Sequence, residues 1–83
     1  MVMQKKFNSL SDLTAMQKLA TQADEPVYLA SGDGSIRVDA RSFISLFTLD
    51  FSKPVQVITD SLYVIRRLEI EQRHQEAALA AVR

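Results

Sequence analysis

Hydrophobic and polar residues follow two different periods along this chain, and each change of period marks the boundary of an element. In residues 9–24 the apolar positions recur every three or four residues, which predicts one buried face of an amphipathic helix: Leu10, Leu13, Met16, Ala20 and Ala23. Ser9 precedes this stripe, and we expect its side chain to accept the backbone N–H of Asp12. Pro26 ends the helix, because the residue before a proline is disfavoured in the α region.

Strict alternation of apolar and polar residues predicts strands at 26–30 and 35–40. The sequence SGDG at 31–34 separates them, and its glycines can supply the positive φ of a tight turn, so the two strands are predicted to form an antiparallel hairpin. A further strand is predicted at 55–60. Residues 2–8 alternate only in part and are also predicted to form a strand.

Two segments predict further helices. Residues 41–51 are apolar on almost every side of a short helix, which is more than one buried stripe requires: Phe43, Ile44, Leu46, Phe47, Leu49 and Phe51. Residues 60–83 predict a long helix capped by Asp60 or Ser61. Its core positions are predicted to be Leu62, Ile65 and Leu68, whereas Leu79 and Val82 have little core left to cover.

The resulting order of elements is βαββαβα. Four strands with helices able to pack on one side predict an α+β open-faced sandwich, with a four-stranded antiparallel sheet and the helices on one face. A chain of 83 residues is expected to form a single domain over residues 1–83.

Charge and composition exclude several classes of partner. Ten acidic side chains balance ten basic ones, so the chain lacks the positive charge expected of a protein that binds nucleic acid or an acidic membrane. No apolar run approaches the length of a membrane span. The absence of cysteine excludes disulfides and thiolate metal sites, and we expect a cytoplasmic protein.

The residue types that carry catalysis are sparse and scattered. His74 is the only histidine, and neither a second histidine nor a cluster of carboxylates lies at ligand spacing, so no metal site is predicted. No serine lies in a glycine-rich elbow, and none has an evident general base. We therefore expect a non-enzymatic protein without a cofactor.

The segment GDGSIRVDARSFISLFTLDFSKPVQV resembles the region around the regulatory serine of HPr, the histidine-containing phosphocarrier of the bacterial sugar phosphotransferase system. That family shows a hairpin, a small residue, a basic residue, a serine, an apolar run and a final strand. The resemblance covers roughly residues 26–58, and the order of strands and helices extends it more weakly over the rest of the chain.

The resemblance implies that Ser42 is a candidate regulatory phosphorylation site. It also implies that Phe43, Ile44 and Phe47 belong to an exposed face that binds a protein partner, such as a serine kinase or a component of transcription or of the phosphotransferase system. A phosphate on a serine at a helix start would also meet unpaired backbone N–H groups, with Arg41 adjacent.

The chain departs from the family at the first helix. The active histidine of the phosphocarriers corresponds to Ser9 here, and the arginine that follows it corresponds to Ser11, so phosphohistidine transfer is not expected.

Alternative interpretations stay open at this stage. Ser42 is also suited to act only as a helix cap, and the three apolar residues to be buried. The chain would then be a divergent open-faced sandwich with an unrelated role, as an accessory subunit or a small-ligand-binding domain. The oligomeric state and the role of the long last helix are not determined by the sequence.

Overall fold

A computed structural model describes the backbone of residues 1–82 and the side chains of residues 1–74. The predicted order of elements is confirmed, with these bounds: β1 Val2–Lys5, α1 Leu10–Gln22, β2 Val27–Ala30, β3 Arg37–Asp39, α2 Phe43–Leu46, β4 Val55–Thr59 and α3 Leu62–Val82. The side chains of Leu79 and Val82 lie outside the described residues.

The four strands form one antiparallel sheet in the order β1-β4-β2-β3. Strand β4 is central: Val57 lies opposite Met3 of β1 and opposite Leu29 of β2. Because side chains alternate between the two faces of a sheet, these apolar residues share one face. They form a single core with residues from α1, α2 and α3: Leu13, Met16, Ala20, Leu46, Val64 and Leu68. The predicted α+β open-faced sandwich is therefore correct.

Two helix residues predicted to be core are exposed. Leu10 and Leu62 are each the first residue of their helix, and more than half of the surface of each is accessible. Of the described α3 side chains, those at 64, 65 and 68 are buried, as is the preceding Ser61, and this places the core-facing stripe about 100° away from Leu62. Leu10 continues the stripe of α1 but occupies a first turn that the core does not cover.

Three elements are clearly shorter than the sequence predicts. Strand β1 ends at Lys5, β3 spans only Arg37–Asp39, and α2 spans only one turn. After α2 the chain continues in tighter i→i+3 hydrogen bonds, with Phe47 N–H donating to Ile44 O and Leu49 N–H donating to Leu46 O. This turn returns Leu49 to the core.

The loop between β2 and β3 is closed by a carboxylate. Asp33 Oδ1 accepts hydrogen bonds from Ser31 Oγ at 2.7 Å, from Ser35 Oγ at 2.8 Å and from Ser35 N–H at 3.0 Å. These donors lower the pKa of Asp33 from 3.8 to about 2, with the Ser31 hydroxyl contributing most. Gly34 adopts φ of 77°, a left-handed conformation that glycine accommodates without strain.

Hydrogen bonds between polar residues connect the segment between β4 and α3 to the loop after α1, and we call this group of Asp24, Thr59 and Ser61 the polar junction. The fully buried Ser61 donates through Oγ to Asp24 Oδ1 at 2.8 Å and accepts Val64 N–H at 3.3 Å, so Ser61 caps α3. Its own N–H donates to Thr59 Oγ1 at 3.0 Å, and Thr59 Oγ1 donates to Pro26 O at 2.9 Å. The start of α3 is thereby fixed to the loop between α1 and β2.

Replacing Ser61 with alanine is expected to lower the free energy of unfolding by about 1–3 kcal/mol, because Val64 N–H would be buried without its acceptor. Urea denaturation of Ser61→Ala measures the loss. Ser11→Ala, on the exposed side of α1, is the control and should unfold close to the wild type. An unchanged midpoint for Ser61→Ala would contradict the role of the junction.

Asp33 makes the hairpin sensitive to acid. Its pKa is lower when folded than its ordinary 3.8, so its contribution to stability is complete above that value and is lost as the pH falls toward about 2. We expect Asp33→Asn to destabilise the protein near neutral pH, and the difference from the wild type to shrink in acid. Urea midpoints across this range test it. Ser11→Ala, an exposed substitution that removes no carboxylate, should follow the wild type at every pH.

Candidate docking and modification surface

The turn from β3 into α2 presents Arg41 and Ser42. Asp39 ends β3 and fixes this turn through its backbone and its carboxylate: Asp39 O accepts Ser42 N–H at 3.1 Å, and Asp39 Oδ1 accepts Arg41 N–H at 2.9 Å. Gln17 of α1 donates through Nε2 to Arg41 O at 3.2 Å. The backbone at Arg41 is therefore held from both the sheet and α1.

The side chain of Arg41 forms a bidentate ion pair with the carboxylate of Asp39. Nη2 lies 2.8 Å from Oδ2, and Nε lies 3.1 Å from Oδ1 and 3.3 Å from Oδ2. The hydrogen bonds from Arg41 lower the pKa of the Asp39 carboxyl, and the same pair raises the pKa of Arg41. Arg41 is thus not an isolated cation, because its charge is balanced by Asp39.

Ser42 is exposed and lies at the N-cap position of α2, but its side chain does not cap the helix as expected. Within the described residues, Ser42 Oγ makes no hydrogen bond to a backbone N–H of the first turn. It pairs instead with Ser45 Oγ at 2.9 Å. The alternative interpretation of Ser42 as a capping side chain is therefore wrong, because its hydroxyl pairs with another hydroxyl.

Helix α2 divides its apolar residues between the core and the solvent. Leu46 is fully buried. Phe43, which was expected on the exposed face with Ile44 and Phe47, is partly buried and packs against the core. Ile44 is 84% exposed and Phe47 is 60% exposed. The rings of Phe43 and Phe47 meet edge to face, with centroids 5.3 Å apart. We call Ile44 and Phe47, together with Ser42, the α2 surface. Arg41 lies at its edge.

Ser9 caps α1 as the sequence predicts. Its Oγ accepts Asp12 N–H at 3.2 Å, and Asp12 Oδ2 accepts Asn8 N–H at 3.0 Å. The carboxylate also lies in the first turn, where the helix dipole favours negative charge. In this position Ser9 stabilises a helix start.

Sequence reasoning did not identify Asp39 and Gln17 as part of this site. The Asp-Ala-Arg spacing was the available signal for Asp39, because an aspartate commonly closes a turn onto the N–H two residues later. Gln17 has no comparable signal, since its contact depends on how α1 packs beside α2.

Elsewhere, an open groove of about 560 Å³ runs between α1 and α3 and is lined by Ala15, Lys18, Leu19, Gln22, Arg67, Ile70 and Glu71. In the described part of the chain, no three acidic or histidine side chains are grouped so that they could hold a metal ion. Among the described helices, none is long and apolar enough to cross a membrane.

Comparison of the chain with protein-family models, with curated proteins and with solved structures gives no match.

Substitutions in the α2 surface should affect stability much less than substitution of the buried residue in the same helix. Leu46→Ala removes a fully buried side chain and is expected to cost about 2–5 kcal/mol of unfolding free energy. Ile44→Ala, two residues earlier on the exposed side, is expected to change it by no more than about 0.5 kcal/mol. Thermal or urea unfolding of the two variants tests this. Equal losses would show that Ile44 is buried in solution.

Proposed function

We propose that this chain is a cytoplasmic, non-catalytic, HPr-like regulatory module that binds a protein partner through the α2 surface and is phosphorylated on Ser42. The observation that carries the proposal is the exposure of Ile44 in α2 and of Phe47 directly after it, close to the exposed Ser42 that precedes the helix. In the phosphocarriers, a regulatory serine and an apolar partner-binding face occupy the corresponding positions.

Exposure of these two side chains has no evident benefit to folding. Large apolar groups grouped on a surface commonly mark a site of protein contact, and aromatic residues are enriched at the centres of interfaces. The ring of Phe47 contacts the ring of Phe43 edge to face, and Phe43 itself packs against the core. A partner would therefore meet a side chain whose position is already restrained, which lowers the entropy cost of binding.

Ser42 is also suited to modification by a kinase. Its hydroxyl is at the surface, so its oxygen can attack the γ-phosphorus of ATP, forming the Oγ–P bond as the bond to ADP breaks and the hydroxyl proton leaves to the kinase or to solvent. The product gains about −1.5 to −2 charges beside two apolar side chains. Such a change at the edge of a docking surface would alter which partner binds.

The proposal does not include phosphocarrier activity. Ser9 and Ser11 stand where the family has its histidine and arginine, and Ser9 Oγ accepts a backbone hydrogen bond. His74 is exposed on α3, an element that does not correspond to the family's active-site position. The module is proposed to receive a signal on serine, without relaying a phosphoryl group on histidine.

Incubation with ATP and an HPr serine kinase tests the proposal, with authentic HPr as the positive control and intact mass as the measurement. We expect one phosphate on the wild type and none on Ser42→Ala. Ser45→Ala is the matched variant, because it removes the neighbouring hydroxyl that pairs with Ser42, and it should still be modified.

The same assay tests the docking surface, since the kinase is itself a protein partner. Ile44→Asp and Phe47→Asp should each reduce the rate of phosphorylation by about tenfold or more. Ile44→Asp should leave the melting temperature unchanged, whereas Phe47→Asp also loses the ring contact with Phe43. Ile70→Asp, an exposed apolar residue on α3, should leave the rate unchanged. An unmodified wild type beside a fully modified HPr control would contradict the proposal and favour the accessory-subunit alternative.

A further inference from the structure

We propose that the Asp39–Arg41 ion pair is a latch: when Ser42 carries a phosphate, the guanidinium of Arg41 leaves Asp39 and binds the phosphate. This inference rests on the proposed function, since it concerns how phosphorylation of Ser42 is read by the rest of the molecule. It adds a specific exchange of partners, which neither the sequence pattern nor the docking surface implies.

The geometry of the unmodified chain supplies the first state. Both Nε and Nη2 of Arg41 point at the Asp39 carboxylate, with nitrogen–oxygen distances of 2.8–3.3 Å. The Arg41 side chain is 60% exposed, so it lies over the surface and can change direction without leaving a cavity. The guanidinium therefore stays bound to the Asp39 carboxylate unless a stronger acceptor is placed next to it.

The backbone at this point is fixed independently of the side chain. Arg41 N–H donates to Asp39 Oδ1 at 2.9 Å, and Arg41 O accepts from Gln17 Nε2 at 3.2 Å. Release of the guanidinium leaves both of these hydrogen bonds in place. Asp39 therefore keeps one donor after the exchange, and the turn into α2 keeps its shape.

The charges around the latch favour the exchange. A phosphate carries about −1.5 to −2 charges and three acceptor oxygens, against a single charge on Asp39, and planar guanidinium groups bind phosphate through paired hydrogen bonds. Arg37, the cation within β3, stacks on the ring of Tyr28, with its guanidinium carbon 4.3 Å from the ring centroid. Tyr28 lies opposite Asp39 in the pairing of β2 with β3.

The exchange would change the surface at two places. Arg41 would move beside the α2 surface and offset part of the phosphate charge there, while the Asp39 carboxylate at the end of β3 would be uncovered. A partner that recognises the modified form would therefore meet a different arrangement of charge around Ile44 and Phe47, and not merely an added phosphate.

The test installs phosphoserine at position 42 during translation, so that no kinase is needed. The measurement is the ¹⁵N–¹H NMR signal of Arg41 Nε, followed from about pH 5 to about pH 8, across the second pKa of phosphoserine near 6. In the phosphorylated protein we expect this signal to shift with the midpoint of the phosphate titration, read from ³¹P NMR. In the unmodified protein it should stay constant, because the hydrogen bonds from Arg41 hold the pKa of the Asp39 carboxyl below its ordinary 3.8 and so below this range.

Two variants test the exchange, and Arg41→Lys, which keeps the positive charge, separates contact from mere proximity of charge. Phosphorylated Asp39→Asn, which lacks the competing carboxylate, should show a larger Arg41 shift and a lower phosphate midpoint than the phosphorylated wild type. Phosphorylated Arg41→Lys keeps the charge but loses the guanidinium fork, and its phosphate midpoint should be higher than that of the wild type.

An Arg41 signal that keeps its unmodified position throughout the phosphate titration would overturn the latch, as would equal phosphate midpoints in the three proteins. If phosphoserine disturbs folding, Ser42→Asp provides the weaker anion, and a shift of the Arg41 signal relative to wild type, absent in Ser45→Asp, is then the expected result. Failure of the latch would leave kinase recognition intact, and failure of kinase recognition would leave this measurement valid.

Discussion

The pairing of β4 with both β1 and β2 is the constraint on which the rest of the structure depends. It places the last strand between the first strand and the hairpin, so that Val57 meets Met3 on one side and Leu29 on the other. An open sheet of this size must have one face covered, and the chain has two long helices and the one-turn α2 with which to cover it. Helix α2 is too short to bury residues on more than one side.

Because α2 is only one turn long, its apolar residues are buried on one side and exposed on the other. Leu46 reaches the core, and the turns after α2 bring Leu49 back to it, so the segment satisfies the sheet with side chains from one side only. Ile44 and Phe47 are left on the other side. The exposed apolar pair is thus a consequence of where the core lies, and the sequence retains large side chains there although the fold does not bury them.

Much of this architecture could be predicted from the period of the apolar residues, since alternation in 26–30 and 35–40 defines the hairpin and the three- to four-residue steps define α1. The wrong predictions concern burial, because the period of apolar residues does not show whether the core reaches a given turn. Leu10 and Leu62 fit apolar stripes but lie in first turns that the core does not cover, as the burial of Ser61 and Val64 shows for α3. The Asp39–Arg41 pair was missed because it depends on the conformation of one turn.

The two helix starts show how one residue determines the role of a serine. Ser9 and Ser42 have similar positions, but the third residue after Ser9 is Asp12, and the third residue after Ser42 is Ser45. Asp12 binds Asn8 N–H while its own N–H binds Ser9 Oγ, so the two side chains close the start of α1. Ser45 instead offers a hydroxyl to the hydroxyl of Ser42, which keeps Ser42 Oγ away from the backbone. Modification of Ser42 would consequently remove no backbone cap, whereas modification of Ser9 would break one. Phosphorylation of a surface serine whose oxygen makes no hydrogen bond to the backbone is expected to change the free energy of unfolding little.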